Sequence, residues 1–95
     1  MNYQKYKEII STHNNYAQPI ICLIHLTAHE KTSAYELREL YGFLDPAKQI
    51  SILKTAYGIK IYKHNIQVVN RFGRKVHTKE YSLEQLDGFT EDING

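Results

Sequence analysis

The stretch T-S-A-Y-E-L-R-E-L-Y-G-F-L-D-P-A-K-Q-I-S-I-L-K-T-A-Y-G, Thr32 to Gly58, carries the start and stop signals of two consecutive short helices. Ser33-Ala34-Tyr35-Glu36 is a capping box: the Ser33 hydroxyl can accept from the Glu36 amide while the Glu36 carboxylate reaches back to the Ser33 amide. Ala34, Leu37, Leu40 and Tyr41 then mark one helical face, and Gly42 stands where a left-handed residue closes a helix. Asp45-Pro46 follows at once as an N-cap and a first-turn proline. The next helix runs to about Tyr57 with Ile50, Leu53 and Tyr57 turned inward, and Gly58 stops it. Two short helices joined by a turn containing glycine form a helix-turn-helix. The first inward residue of the second helix comes late, so the turn is longer than in the oldest form of the motif. The solvent side of that second helix carries Ala47, Lys48, Gln49, Ser51, Lys54 and Thr55, short or polar residues with no acid after Asp45, as a helix lying in a major groove requires.

Downstream of Gly58 the period changes from helical to alternating. Ile59, Ile61, Ile66, Val68, Val69 and Val76 are β-branched, and Tyr62 and Tyr81 extend the pattern. Asn70-Arg71-Phe72-Gly73 is the turn of a hairpin, with asparagine at its first position and a glycine able to take positive φ. Two registers one residue apart are compatible with the pattern, so the faces of the hairpin stay open. Tyr81 and Leu83 close onto the core, and residues 84–95 form an acidic tail expected to fray.

Upstream, Asn2 to His13 has apolar or aromatic residues at Tyr3, Tyr6, Ile9 and Ile10, a narrow helical stripe broken by Asn14-Asn15. This N-terminal segment, residues 1–15, is either an extra packing helix or a dimerisation arm. Gln18 to Ala28 opens with Pro19 and is apolar around most of its circumference, which predicts a buried central helix ended by Lys31-Thr32. The resulting fold class is α+β: a winged helix-turn-helix over residues 18–83, with three core helices, a C-terminal β-hairpin and an extra N-terminal helix. The hairpin tip, Arg71-Phe72-Gly73-Arg74-Lys75, is its wing.

The 95 residues suffice for one domain with a modest core. A composition of 42% hydrophobic and 23% charged residues is that of an ordinary globular protein. The net charge of +2 conceals a polarised chain. Between Pro46 and Lys79 there is no Asp or Glu, while Lys48, Lys54, Lys60, Lys63, Arg71, Arg74, Lys75 and Lys79 make up 8 of the 12 basic residues. A one-signed stretch of this kind focuses its field on a polyanion, and a phosphate backbone is the usual one. The single Cys22 needs no oxidising compartment. No apolar run is long enough to span a bilayer and no signal peptide is visible, so no membrane partner and a cytoplasmic location are expected.

The stretch from Gln18 to Leu83 resembles the small winged helix-turn-helix domains of phage and prophage genomes. The matching residues are T-S-A-Y-E-L at Thr32 to Leu37, L-Y-G-F at Leu40 to Phe43, I-S-I-L-K at Ile50 to Lys54 and G-I-K-I at Gly58 to Ile61. They continue as N-R-F-G-R-K-V from Asn70, followed by E-Y-S-L up to Leu83. The wing block is the most specific part. Where the family usually has arginines flanking the helix-three isoleucine and leucine, this chain has Gln49 and Lys54. The resemblance implies a DNA-binding fold working in a bacterial host cytoplasm.

On these grounds the expected partner is double-stranded DNA, contacted by Lys48, Gln49, Ser51, Lys54 and Thr55 on helix 46–57 and by Arg71, Phe72, Arg74 and Lys75 on wing 70–75. The role would be that of a transcription factor or an excisionase-like architectural protein. Phe72 is either a packed aromatic fixing the loop or a wedge against the minor groove. Two copies on adjacent half-sites, a homodimer, would extend the few base pairs that one such domain reads. The alternative is a protein-binding inhibitor of a host enzyme or defence complex built on the same fold.

Other constellations weigh less. Cys22, His25 and His29 fall on one helix face, but they supply three ligands where a structural zinc site needs four. The thiol also lies in an apolar run where free cysteine packs as a small hydrophobe. No metal and no cofactor are expected. No phosphate loop, serine elbow or activated thiol is visible, which makes the chain a non-enzyme. Four of the eight tyrosines, Tyr35, Tyr41, Tyr57 and Tyr81, occupy core-spaced positions, so packing is preferred to base stacking. His64 and His77 border the basic stretch and read as surface strand residues.

Overall fold

The computed structural model describes residues 4–14 and 16–93. Among them the chain forms helices α1 (Gln4–Thr12), α2 (Gln18–Ala28), α3 (Ala34–Tyr41) and α4 (Pro46–Ala56) and strands β1 (Thr32–Ser33), β2 (Tyr62–Val69), β3 (Lys75–Ser82) and β4 (Thr90–Glu91). The fold is α+β. Its antiparallel sheet has the order β1-β3-β2-β4, so the expected simple hairpin is corrected to the inner pair of a four-stranded sheet. Both outer strands are two residues long and have no side-chain period to be read.

Helix α2 is the centre of the packing because it lacks a polar face: Ile20, Cys22, Leu23, His25 and Leu26 are all buried. Leu37 of α3, Ile50 and Leu53 of α4, Phe43 between them, and Ile59, Ile61, Tyr81 and Leu83 complete the core with Tyr6 of α1. Each Leu or Ile side chain taken fully from water contributes roughly 1.5–3 kcal/mol. Burial pushes the Cys22 thiol up to about 12, so it packs as an inert apolar group. Burial likewise leads the rise of the Tyr81 phenol to about 12, with the carboxylates of Asp92 and Asp45 adding to it.

The helix boundaries follow the capping chemistry. Ser33 Oγ accepts from the Glu36 amide at 2.9 Å, and Asp45 Oδ1 accepts from the Lys48 amide at 3.2 Å with Pro46 in the first turn. Gly42 closes α3 at φ 71°, a conformation strained for any residue with a Cβ. The Glu36 carboxylate, however, takes the Thr32 hydroxyl and His25 Nε2 as partners. Leu40 and Tyr41 do not join the core as the stripe predicted: Leu40 is 59% exposed and Tyr41 42%. Tyr41 instead lies at the edge of the core, hydrogen-bonded to the buried His25 and stacked on the buried Phe43 ring at 5.4 Å. Of the core-spaced tyrosines only Tyr81 is buried, and Tyr35 and Tyr57 are half-buried.

Helix α1 packs on α2 and reaches the end of α4, where Lys5 Nζ donates to the Gly58 carbonyl at 2.8 Å. The His13 and Tyr57 rings meet edge to face at 5.0 Å. Tyr3 of the predicted stripe, Asn15 of the predicted break and residues 94 and 95 of the predicted tail lie outside the described residues.

Residues 84–93 do not follow the expectation of a frayed tail. Phe89 is buried against the His64 ring, whose Nδ1 hydrogen-bonds the Gly88 carbonyl at 3.1 Å. Strand β4 pairs with β2, and the Asp92 amide donates to the Ile61 carbonyl at 2.8 Å. The acidic composition of this segment hides one apolar anchor, Phe89, and two carboxylates, Glu91 and Asp92, that pair with lysines of the basic stretch.

Candidate nucleic-acid interface

The hairpin register is single and extends over eight pairs, from Tyr62 opposite Ser82 to Val69 opposite Lys75. The connecting turn is built around one side chain: Asn70 Oδ1 accepts from the amides of Phe72 at 2.9 Å and Arg74 at 3.0 Å. Gly73 sits at φ 78° and its amide donates to the Asn70 carbonyl. The result projects Arg71, Phe72, Arg74 and Lys75 into solvent, Phe72 with 81% of its surface exposed. The packed-aromatic reading of Phe72 is thereby set aside, because the loop is fixed by Asn70 and not by the ring.

On α4, Lys48 and Thr55 are exposed and Gln49 and Ser51 are half-buried. The Thr55 hydroxyl donates to the Ser51 carbonyl at 3.0 Å. Lys54 is corrected from a solvent-side residue to a covered one. Its side chain is only 9% exposed, and Nζ lies 2.8 Å from Asp92 Oδ2, while Lys63 Nζ of β2 lies 3.1 Å from the other oxygen. Burial disfavours the Asp92 anion, but the hydrogen bonds from Lys54 and Lys63 outweigh it and hold the carboxyl below its ordinary range.

The hairpin is thus tied to the helices at both ends. Asp92 bridges its base to α4, and at the tip Arg71 reaches Glu39 of α3 at 3.0 Å. Lys60 pairs with Glu91 at 3.8 Å. Four of the eight cations in the basic stretch therefore have carboxylate partners. Lys48, Arg74, Lys75 and Lys79 are exposed and make no ion pair among the described residues.

A second polar cluster lies between α2 and α3. His25, buried in α2, hydrogen-bonds the Tyr41 hydroxyl through Nδ1 at 2.8 Å and Glu36 Oε1 through Nε2 at 3.1 Å, and its ring stacks on His29 at 4.2 Å. The Thr32 hydroxyl donates to the same Glu36 oxygen at 2.6 Å. This donor is the main reason the Glu36 carboxyl is held below its ordinary range; it outweighs the desolvation that opposes it, and His25 adds to it. An anionic Glu36 requires the proton on Nε2, so in the neutral ring Nδ1 accepts from Tyr41. Every member then has a partner, and the cluster serves to lock α2 to α3. The zinc-type spacing of Cys22, His25 and His29 has dissolved into separate roles: the thiol is in the core, and the two rings stack.

The pairing of Asp92 with Lys54 and Lys63 was not legible in the sequence. No local pattern marks it, since the partners come from α4, β2 and the C-terminal segment. Comparison with protein-family models, with curated proteins and with solved structures gives no match for the chain.

Proposed function

We propose that this protein is a winged helix-turn-helix, non-enzymatic regulator of the phage or prophage type that binds double-stranded DNA. Helix α4 would lie in the major groove and the hairpin tip on the neighbouring phosphates or minor groove. The order of elements supports the fold reading: a helix, a short strand, two capped helices and a hairpin whose return strand pairs with that short strand. The observation that carries the function is the division of the cations. Those at the base of the hairpin are neutralised internally, whereas Lys48 at the start of α4 and Arg74 and Lys75 at the tip face solvent without a carboxylate partner among the described residues. Exposed, unpaired cations are the ones that can release counterions from a phosphate backbone. Gln49 and Ser51 on α4 supply the groups able to read base edges, and two copies on adjacent half-sites would lengthen the site read.

The test is a titration of mixed-sequence duplex at several salt concentrations with Lys48→Ala and Arg74→Ala. Each substitution should lower the steepness of log K against log salt by about 0.9. Parent-like slopes in both would exclude α4 and the tip as the DNA-contacting surface.

A second reading has one observation in its favour. Leu40 and Leu44, around the α3–α4 turn, are 59% and 93% exposed. Exposed aliphatic residues of this size suit a protein partner, such as a host enzyme or defence complex. A stoichiometric protein retained from host lysate after nuclease treatment would favour this reading over DNA.

A further inference from the structure

The register of β2 and β3 assembles a surface that the tip and α4 do not account for. Asn65 stands opposite Lys79, Gln67 opposite His77 and Val69 opposite Lys75. Directly opposed residues share a face. All six are exposed, and none is acidic. The acid of β3, Glu80, alternates onto the other face, where it is half-buried and 3.8 Å from Lys31. On that other face Thr78 is also occupied, its hydroxyl accepting from the Tyr35 amide. Below Asn65 and Lys79 the exposed face ends, because the next pair is the buried Tyr81 and a Lys63 already bound to Asp92.

We propose that this face of the hairpin is a phosphate track: one strand of a DNA duplex runs along β3, contacted by Lys75, His77 and Lys79, with Asn65 and Gln67 beside it. The proposal rests on the DNA-binding reading and changes its geometry, since the wing then binds along its length and not only at its tip. Three features support it. Alternate residues of a strand are about 7 Å apart on one face, close to the separation of successive phosphates on a nucleic-acid strand. The face is one-signed, so no carboxylate repels the backbone along it. The polar side chains present donors: with the Gln67 carboxamide nitrogen donating to His77 Nε2 at 3.3 Å, the remaining ring proton is on Nδ1, a donor for a phosphate oxygen. The carboxamides of Asn65 and Gln67 add further N–H groups.

The experiment adds mixed-sequence duplex to the isotopically labelled full chain and follows the side-chain amide signals of Asn65 and Gln67. Lys79→Gln is titrated in parallel with Lys48→Gln, Arg74→Gln and, as a charge-matched control on α1, Lys7→Gln. The track predicts that both carboxamide signals shift on binding. It also predicts that Lys79→Gln lowers the salt slope by about 0.9 while Lys7→Gln leaves it unchanged. If Lys48→Gln and Arg74→Gln flatten the slope while Lys79→Gln does not and the two carboxamides stay in place, DNA binds at the tip and α4 alone. That result overturns the track and leaves the DNA-binding reading intact. If all four variants keep the parent slope, the DNA-binding reading falls and the track with it.

Discussion

Lys54 of α4 and Asp92 of the C-terminal segment form an ion pair at 2.8 Å in which both side chains are only 9% exposed. With Lys63 on the other carboxylate oxygen, one carboxylate joins α4 to β2. Asp92→Asn keeps the shape but removes the charge-assisted bonds, and the expected loss in denaturant unfolding at neutral pH is about 2 kcal/mol. The sign of the pH dependence follows from the lowered folded-state pKa of Asp92. Its contribution is fully present above the unfolded value, about 3.9, and disappears as pH falls through the lower folded value. The deficit of Asp92→Asn should therefore shrink in acid. A deficit that persists unchanged at the lowest pH of a folded parent would assign the effect to packing.

Glu36 provides a test of cause. Its carboxyl is held low chiefly by the Thr32 hydroxyl and secondarily by His25. Thr32→Val keeps the β-branched shape in a buried position and deletes only the donor. Carbon-detected titration of the Glu36 carboxyl should then show its midpoint moving up toward the ordinary glutamate value. A midpoint that does not move would mean His25 alone sets it.

The cap of α3 is a separate element of stability. Ser33→Ala removes the acceptor for the Glu36 amide and should cost about 1 kcal/mol in chemical denaturation. Because Ser33 also belongs to β1 and pairs with Glu80 of β3, a loss well above that figure would show that the cap and the sheet edge unfold as one unit.

How far the sequence could be read is instructive at particular residues. Capping chemistry is local, so Ser33, Gly42, Asp45 and Pro46 announced both helices of the central pair. Turn chemistry is local too, and Asn70 and Gly73 announced the hairpin. Register is not local. It was open between two choices, and only the pairing of Asn65 with Lys79 resolved which side chains share a face. The acidic end was the largest departure, because Phe89 and Asp92 become structural only when His64, Lys54 and Lys63 are brought to them by the fold. The same event removed Lys54 from the expected DNA-contacting face. A charge count along the chain cannot distinguish a lysine that faces solvent from one that anchors a distant strand.

At the hairpin tip, Gly73 has a φ of 78° and open space where a Cβ would stand. Gly73→Ala should therefore act through backbone strain alone, about 1–2 kcal/mol, and without a clash. The expected signature is altered amide signals confined to residues 70–74 with the remainder of the sheet unchanged. Changes spreading to β1 or β4 would show that the tip is coupled to the whole sheet.

The ion pair between Arg71 and Glu39 leads to the prediction most specific to function. Arg71 is 70% exposed and Glu39 43%, so in water the pair contributes little to stability, within about 1 kcal/mol. It does, however, hold the Arg71 guanidinium on α3, away from the phosphate that the proposed DNA-binding reading would offer it. If the proposed DNA-binding reading holds, Glu39→Gln should leave the unfolding midpoint nearly unchanged, tighten binding to duplex DNA at low salt, and steepen the salt slope by about 0.9 as one more contact forms. Removing an acid from any basic surface would also strengthen binding somewhat through the general field. The double variant separates the two effects. If the gain passes through Arg71, adding Arg71→Ala to Glu39→Gln should cancel it, whereas Arg71→Ala alone should change little because the parent guanidinium is already engaged. A gain that survives in the double variant would mean the Glu39 charge acts through the field alone, with Arg71 making no phosphate contact.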